Sequence, residues 1–366
     1  MNHGRPAARR FERTRVRCYK TARMKLLLLS LPLVCLLATA AQAEPKRLNL
    51  FIWSEYLDPA LVTKFEREHH CRVVIDLYED PESMLAKLQA GGSQYDLVVP
   101  TDYLVPGMIR RGLLAPLRHE RIPNLTNLAP RFVSPPYDSG NRYTAAYQWG
   151  TLGILARPPA GQKLPETWGV IFDPKLAPGP ILLMDSMRDL LGAALRYQGR
   201  SLNSTNLAEL RAARDLLLET KRRARSLDAS VGAKNKVLGK SAQAAIVYSG
   251  EGLRAMREDA GVTYFVPKEG SLVWVDSLAV LAKAPNRDLA EQFINFILNP
   301  DNAAQLSRYT QFSSPNQAAL PLLPDADRRN PALYPAGDLA ARLEYVQDPG
   351  PATRLYDEIW TQIKAR

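Results

Sequence analysis

The order of apolar runs and helix signals between Leu48 and Gly112 constrains the fold more than any other feature. Leu48, Leu50 and Ile52 alternate with Asn49 and Phe51, as in a strand with a buried face. Asp58-Pro59 then offers an N-cap and a first helical residue, and Leu61, Val62 and Phe65 make one helical stripe. A β-branched strand over 72–78 follows. Asp80-Pro81 starts a second helix, with Met84, Leu85 and Leu88 inward and Gly91-Gly92 as its stop. Residues 95–99, YDLVV, make a third strand, and a short helix over 105–111 ends at Gly112. Strand and helix in strict alternation predict a parallel sheet covered by helices. In such open sheets ligands lie outside the carboxyl ends of the strands.

The residues at those ends repeat a theme. The first strand runs into Trp53-Ser54-Glu55-Tyr56 and the third into Thr101-Asp102-Tyr103. Further on, an apolar strand at 181–184 leads to Asp185-Ser186 and a helix carrying Asp189 in its first turn. The strand AAIVY at 244–248 ends at Tyr248 and leads to Glu251. The strand at 271–281, SLVWVDSLAVL, carries Trp274 and Asp276 two residues apart and therefore on one face. Each end pairs an aromatic or hydroxyl group with a carboxylate. Together they predict a negative cleft lined by rings, suited to a slender organic cation with ammonium groups on carboxylates and methylenes on ring faces. Other roles are open residue by residue. Trp53 and Tyr56 can simply pack over the first strand, Asp189 and Glu251 can serve as helix N-terminal charges, Asp185 reads as a cap, and Asp102 can face solvent.

Elsewhere the chain is read more coarsely. Residues 143–156 are expected to form a strand pair around Trp149-Gly150, and 206–224 one long amphipathic helix whose Lys221, Arg222, Arg223 and Arg225 suit its negative end. Residues 288–298 form an apolar helix, and another runs from about Thr353. Trp149 and Trp168 read as packing residues, and His69 and His70 suggest no metal site.

Composition matters mainly through the N-terminus. Residues 1–43 read as a secretory leader: a basic run ending at Lys25, the apolar stretch 26–40, and an Ala41-Gln42-Ala43 cleavage site. Met24 is an alternative start. The apolar run is too short for a membrane span. Of 48 Lys and Arg, nine lie in this leader, against one of 37 Asp and Glu. The remaining 323 residues carry 39 basic and 36 acidic groups, about +3, so the formal +11 is no nucleic-acid footprint. Cys18 and Cys35 leave with the leader. Cys71 alone can form no internal disulfide and reads as a buried apolar residue. The absence of G-x-S-x-G, of H-E-x-x-H and of a Cys with a plausible His partner argues against a hydrolase.

The stretches FIWSEYL at 51–57, YDLVVPTDY at 95–103, YQWGTLGI at 147–154, VPKEGSLVWVDSLAV at 266–280 and VQDP at 346–349 resemble the substrate-binding proteins of bacterial spermidine/putrescine ABC transporters, over nearly the whole mature length. That resemblance implies an α/β, two-lobed periplasmic binding protein of type II, each lobe a mostly parallel sheet flanked by helices, with the ligand cleft at the hinge. It implies a first lobe of 44–152 plus about 277–318 and a second of 153–276 plus about 319–366. The strand ends and the resemblance together make Trp53, Ser54, Glu55, Tyr56, Thr101, Asp102, Tyr103, Asp189, Tyr248, Glu251, Trp274, Asp276 and Gln347 the candidate ligand-binding positions, Ser54 and Asp102 on the strand-end reading alone. Trp53 and Tyr56 would be aromatic walls, Thr101 a hydrogen-bonding hydroxyl, and Glu55, Asp189 and Asp276 partners of amines. Ser186 stands where spermidine-preferring members have a carboxylate, and Tyr248 where they have Trp. Glu251 stands where putrescine-preferring members carry an acid, and Phe312 where those members have a contacting Tyr. Spermidine and putrescine are both left open. The implied protein is a non-enzymatic periplasmic monomer without cofactor or metal. It would hand a polyamine to an inner-membrane permease or, alternatively, present it to a membrane signalling receptor.

Overall fold

Thirteen consecutive residues, Thr144–Ala156, form one strand with every side chain buried, and the rest of the molecule is arranged about it. The computed structural model describes residues 46–91 and 94–365, so the leader reading lies outside the described residues. In chain order the first elements are β1 (Lys46–Trp53), α1 (Pro59–His69), β2 (Cys71–Tyr78), α2 (Pro81–Gln89), β3 (Leu97–Val98), α3 (Val105–Arg110), β4 (Thr144–Ala156), α4 (Gly169–Phe172), β5 (Ile181–Met184) and α5 (Met187–Tyr197). There follow α6 (Leu207–Lys221), β6 (Ala224–Asp228), α7 (Ser230–Leu238), β7 (Ala244–Tyr248), α8 (Ser249–Glu258), β8 (Thr263–Phe265) and β9 (Leu272–Val280). The chain closes with α9 (Arg287–Ile297), α10 (Pro300–Thr310), α11 (Asp325–Arg328), α12 (Gly337–Ala341), β10 (Glu344–Tyr345) and α13 (Thr353–Ala365).

The strands order as β2-β1-β3-β9-β4-β7-β5-β6. At one side β2, β1 and β3 are parallel, and at the other β7, β5 and β6 are parallel. Between them run the antiparallel strands β9 and β4. Up to Thr151, β4 pairs with β9; from Leu152 it pairs with β7. One continuous strand thus belongs to two sheets, and the carboxyl ends of both parallel sets face the zone where β4 and β9 cross.

Local chemistry explains most element starts. The Asp58 carboxylate accepts from Ala60 N at 2.8 Å and the Asp80 carboxylate from Ser83 N at 2.8 Å, each followed by a proline in the first turn. Two expectations fail. There is no strand pair at Trp149-Gly150: a Cβ on Gly150 would lie 2.7 Å from both Ser249 Oγ and Trp274 Cζ2, so this glycine is there to admit an indole against a straight strand. The helix expected over 206–224 stops at Lys221. Ala224–Asp228 is β6, an end strand that is half buried along its length and so lacks clean apolar alternation. The basic run there is tied to carbonyls: Lys221 Nζ donates to Ile363 O at 2.6 Å and Arg223 to Ala177 O at 3.1 Å.

The Pro267-Lys268-Glu269-Gly270 stretch lies away from the cleft and launches β9. Trp168 Nε1 donates to Gly270 O at 2.9 Å, Trp168 N to Glu269 at 3.2 Å, and Thr167 Oγ1 also donates to Glu269. Gly270 has φ of 92°, and a Cβ there would sit 2.1 Å from Arg342 O. Gly270→Ala is therefore expected to destabilise the fold by about 2 kcal/mol or more, through backbone strain and this clash. Denaturant unfolding would detect it as a lower midpoint at unchanged slope; an unchanged midpoint would refute the role given to Gly270.

Candidate functional site

The carboxyl ends of the strands build one cleft that opens to solvent. β1 supplies Trp53, Ser54 and Tyr56; β2 supplies Glu79; the chain after β3 supplies Thr101 and Tyr103. From the other side come Ser186 and Asp189 after β5, Ala229 to Val231 after β6, and Tyr248 with Glu251 after β7. Trp274 and Asp276 stand on β9, with Phe312 and Val346 completing the lining. Ten of the residues expected from the sequence therefore share one cavity: Trp53, Ser54, Tyr56, Thr101, Tyr103, Asp189, Tyr248, Glu251, Trp274 and Asp276.

The aromatic wall is a mutually braced cluster. Trp274 meets Phe312 edge-on at 5.0 Å and Tyr248 at 5.6 Å between ring centroids, and Tyr56 lies 5.3 Å from Phe312. Such edge-to-face pairs hold ring orientation. Tyr56 is fixed further through its carbonyl, which accepts from Tyr147 Oη at 2.7 Å and Gln148 Nε2 at 3.2 Å. The YQWG stretch thus acts by pinning the end of β1. Trp149 packs instead against Phe132 and Tyr334, under the Arg131 guanidinium at 4.8 Å.

Two carboxylates carry the electrostatics. Asp276 is buried, opposite Gln148 in β4 and bridged to Thr101, and burial pushes its pKa up to about 7. The hydroxyls of Tyr56 and Thr101 beside it offset part of that rise, and the nearby Asp189 adds to it. Tyr56 Oη is itself buried with no partner at hydrogen-bonding geometry. Asp189 is also buried and raised by desolvation, opposed by a 2.5 Å hydrogen bond from Tyr248 Oη. Neither Asp189 nor Asp276 has an ion-pair partner among the described residues. Two buried acids without cations are costly by themselves and mark a place for positive charge.

Three expected residues stand elsewhere. Glu55 does not line the cleft: φ of 52° turns it out of the strand direction, and its carboxylate lies 3.0 Å from Arg254 Nη2 and 3.6 Å from Lys234 Nζ. Asp102 faces neither solvent nor cleft. It is buried, accepts from Tyr103 N at 2.7 Å and Val275 N at 3.2 Å, and so ties the β3 end to β9. Gln347 is exposed; its backbone, not its side chain, is held, by Asn203 and by Arg188, which donates to its carbonyl at 2.7 Å. Neighbouring Val346 lines the cleft instead.

Conversely, Glu79, Pro81, Val346 and the residues after β6 line the cleft without being among the candidate site residues of the sequence. Glu79 follows Tyr78 at the end of β2, so the strand-end rule would have found it. The residues after β6 carry no such signal, because β6 is half buried along its length and shows no clean apolar alternation to mark a strand end.

The crossed central strands, the parallel set on either side and the cleft at their carboxyl ends define the class: a bacterial extracellular solute-binding protein. The profile of that family matches residues 60–334, and the chain belongs to it, a family of binding proteins rather than enzymes. Within the class it belongs with the spermidine/putrescine-binding periplasmic proteins. It is 35% identical over 357 residues to a putrescine/cadaverine-binding protein of Pseudomonas aeruginosa, covering 94% of this chain and 100% of that one. It is 31% identical over 330 residues to a spermidine/putrescine-binding periplasmic protein of Escherichia coli, covering 89% and 94%. A structure described as a putative spermidine/putrescine ABC transporter from Listeria monocytogenes superposes with a TM-score of 0.81 at 35% identity, covering 87% of this chain and 99% of that one.

Proposed function

We propose that this chain is the polyamine receptor of an ABC transporter. It captures a di- or polyamine in the periplasm and presents it to an inner-membrane permease. The observation that carries this reading is the pair Asp189 and Asp276, buried in an aromatic-walled cleft with no ion-pair partner among the described residues. Trp274, Tyr248, Tyr56 and Phe312 supply ring faces for the methylene chain, and the two carboxylates take the ammonium ends. The lobes divide at 152/153 and 276/277, with 277–318 in the first and 319–366 in the second. The change of β4 partner after Thr151 supports that division, as do the contacts of β10 with β9 and of α13 with α5 and α6. Closure about β4 and β9 shields the guest.

Proton linkage tests the reading. In the free protein Asp276 titrates near 7; an ammonium beside it favours the ionised form and lowers that value. Binding near neutral pH therefore expels a proton, and affinity falls as pH drops below 7, by up to about tenfold per unit. Calorimetry with putrescine and spermidine in buffers of differing ionisation enthalpy should show proton release at pH 7 and little at pH 9. Tight amine binding with no proton release would remove Asp276 from the ligand's charge partners.

A further inference from the structure

We infer that Arg254, backed by Lys234, makes this site selective for an α,ω-diamine with two ammonium groups over a triamine. The inference rests on the polyamine reading above and concerns which member of that class the cleft takes.

Glu251 lines the cleft and would supply a third buried carboxylate, but both of its oxygens are already engaged. Oε1 accepts from Arg254 Nη2 at 2.9 Å and Oε2 from Ser230 Oγ at 3.2 Å. The same Arg254 Nη2 reaches Glu55 Oε2 at 3.0 Å, and Nη1 reaches the Glu55 carbonyl at 3.4 Å. Lys234, nearly as buried as Glu251, lies 3.6 Å from Glu55. Two acids and two bases thus close a neutral cluster at this end. The Arg254 guanidinium already serves Glu251 as the charge partner that a third ammonium would otherwise be. An extra amine driven toward Glu251 would meet Arg254 and Lys234 at short range, away from bulk water, where like charges repel strongly.

Asp189 and Asp276 differ from Glu251: both are buried in the cleft with no ion-pair partner among the described residues, only Arg188 acting on Asp189 from nearby, and Ser186 lines the cavity with a neutral hydroxyl. Of the buried acids that line the cleft, two therefore lack an ion-pair partner among the described residues, matching the two ends of a diamine. Glu79 also lines the cleft, but it is solvent-exposed, and screening limits what it adds. Arg254 acts here as a specificity determinant through Glu251; no contact with the guest is required of it.

The test is the ratio of spermidine to putrescine dissociation constants, measured by calorimetry at pH 8. The intact protein should bind putrescine at least about tenfold tighter than spermidine. Arg254→Gln frees the Glu251 carboxylate, and the ratio should fall to within about threefold or invert. Arg254→Lys keeps the charge and should keep the preference, while Lys234→Met should erode it without touching the Arg254–Glu251 pair. These two serve if Arg254→Gln does not fold. A native preference for spermidine, or a ratio unmoved by both Arg254→Gln and Lys234→Met, would overturn the inference while leaving polyamine binding intact. Failure of the native protein to bind any di- or triamine would instead remove the polyamine reading beneath it.

Discussion

Asp276→Asn is expected to weaken putrescine binding by at least about 100-fold and, at the same time, to stabilise the ligand-free protein. The first effect follows from breaking a buried charge pair, which costs roughly 3–5 kcal/mol because the ammonium keeps its desolvation penalty and loses its partner. The second follows from the free state. Asp276 has a folded pKa of about 7, above the carboxylate value of the unfolded chain, so the folded form holds the proton more tightly. Its contribution to stability is fully present below about pH 4 and is lost as pH rises through 7. At three pKa units the penalty above pH 7 approaches about 4 kcal/mol. Asparagine carries no such penalty. The melting temperature of the variant should exceed that of the native chain at pH 8, and the gap should narrow toward pH 5 and close near about pH 4. A variant less stable than the native chain at both pH values would mean that Asp276 is held by structural hydrogen bonds rather than kept poised for a cation.

Trp274→Ala should cost about 3–5 kcal/mol of stability, the usual range for emptying a large buried aromatic site. It should also cost roughly tenfold or more in amine affinity through loss of a desolvated ring face. The indole is buried, braced by Phe312, Tyr248 and Tyr56, and seated on the backbone at Gly150. No neighbouring side chain can fill the gap from the β4 side, because the residue there is a glycine. Trp274→Phe keeps a ring in the same place and should recover most of the stability but only part of the affinity. Thermal unfolding and titration of the two variants separate these effects. Equal affinities for the alanine and native proteins would exclude the indole from the ligand's walls.

What the sequence made legible, and what it hid, follows from the range of each interaction. The ends of β1, β3, β5 and β7 were readable because an apolar run, a terminating polar group and the carboxyl-end rule are all local. Asp276 was readable because period two ties it to Trp274 on one strand. Glu55 was not. It has the right letter at the right strand end, but the residues that claim it, Lys234 and Arg254, sit on α7 and α8 far along the chain, and no local pattern announces a pairing across the cleft. Asp102 was misjudged for a similar reason, since its partner Val275 N belongs to a strand of the opposite direction. Gly150 read as a turn because glycine punctuates turns more often than it makes room for an indole. β6 and the site residues that follow it gave no signal because an end strand half exposed along its length carries too little alternation to mark where it starts or ends.

The central claim is that two buried carboxylates in a ring-lined cleft bind through charge, not shape. Titration of the protein with 1,4-diaminobutane and with 1,4-butanediol, guests of matched length, tests it most directly. The account predicts a dissociation constant of about 10 µM or tighter for the diamine and no measurable heat for the diol. Comparable binding of the two, or binding of the diol alone, would contradict it.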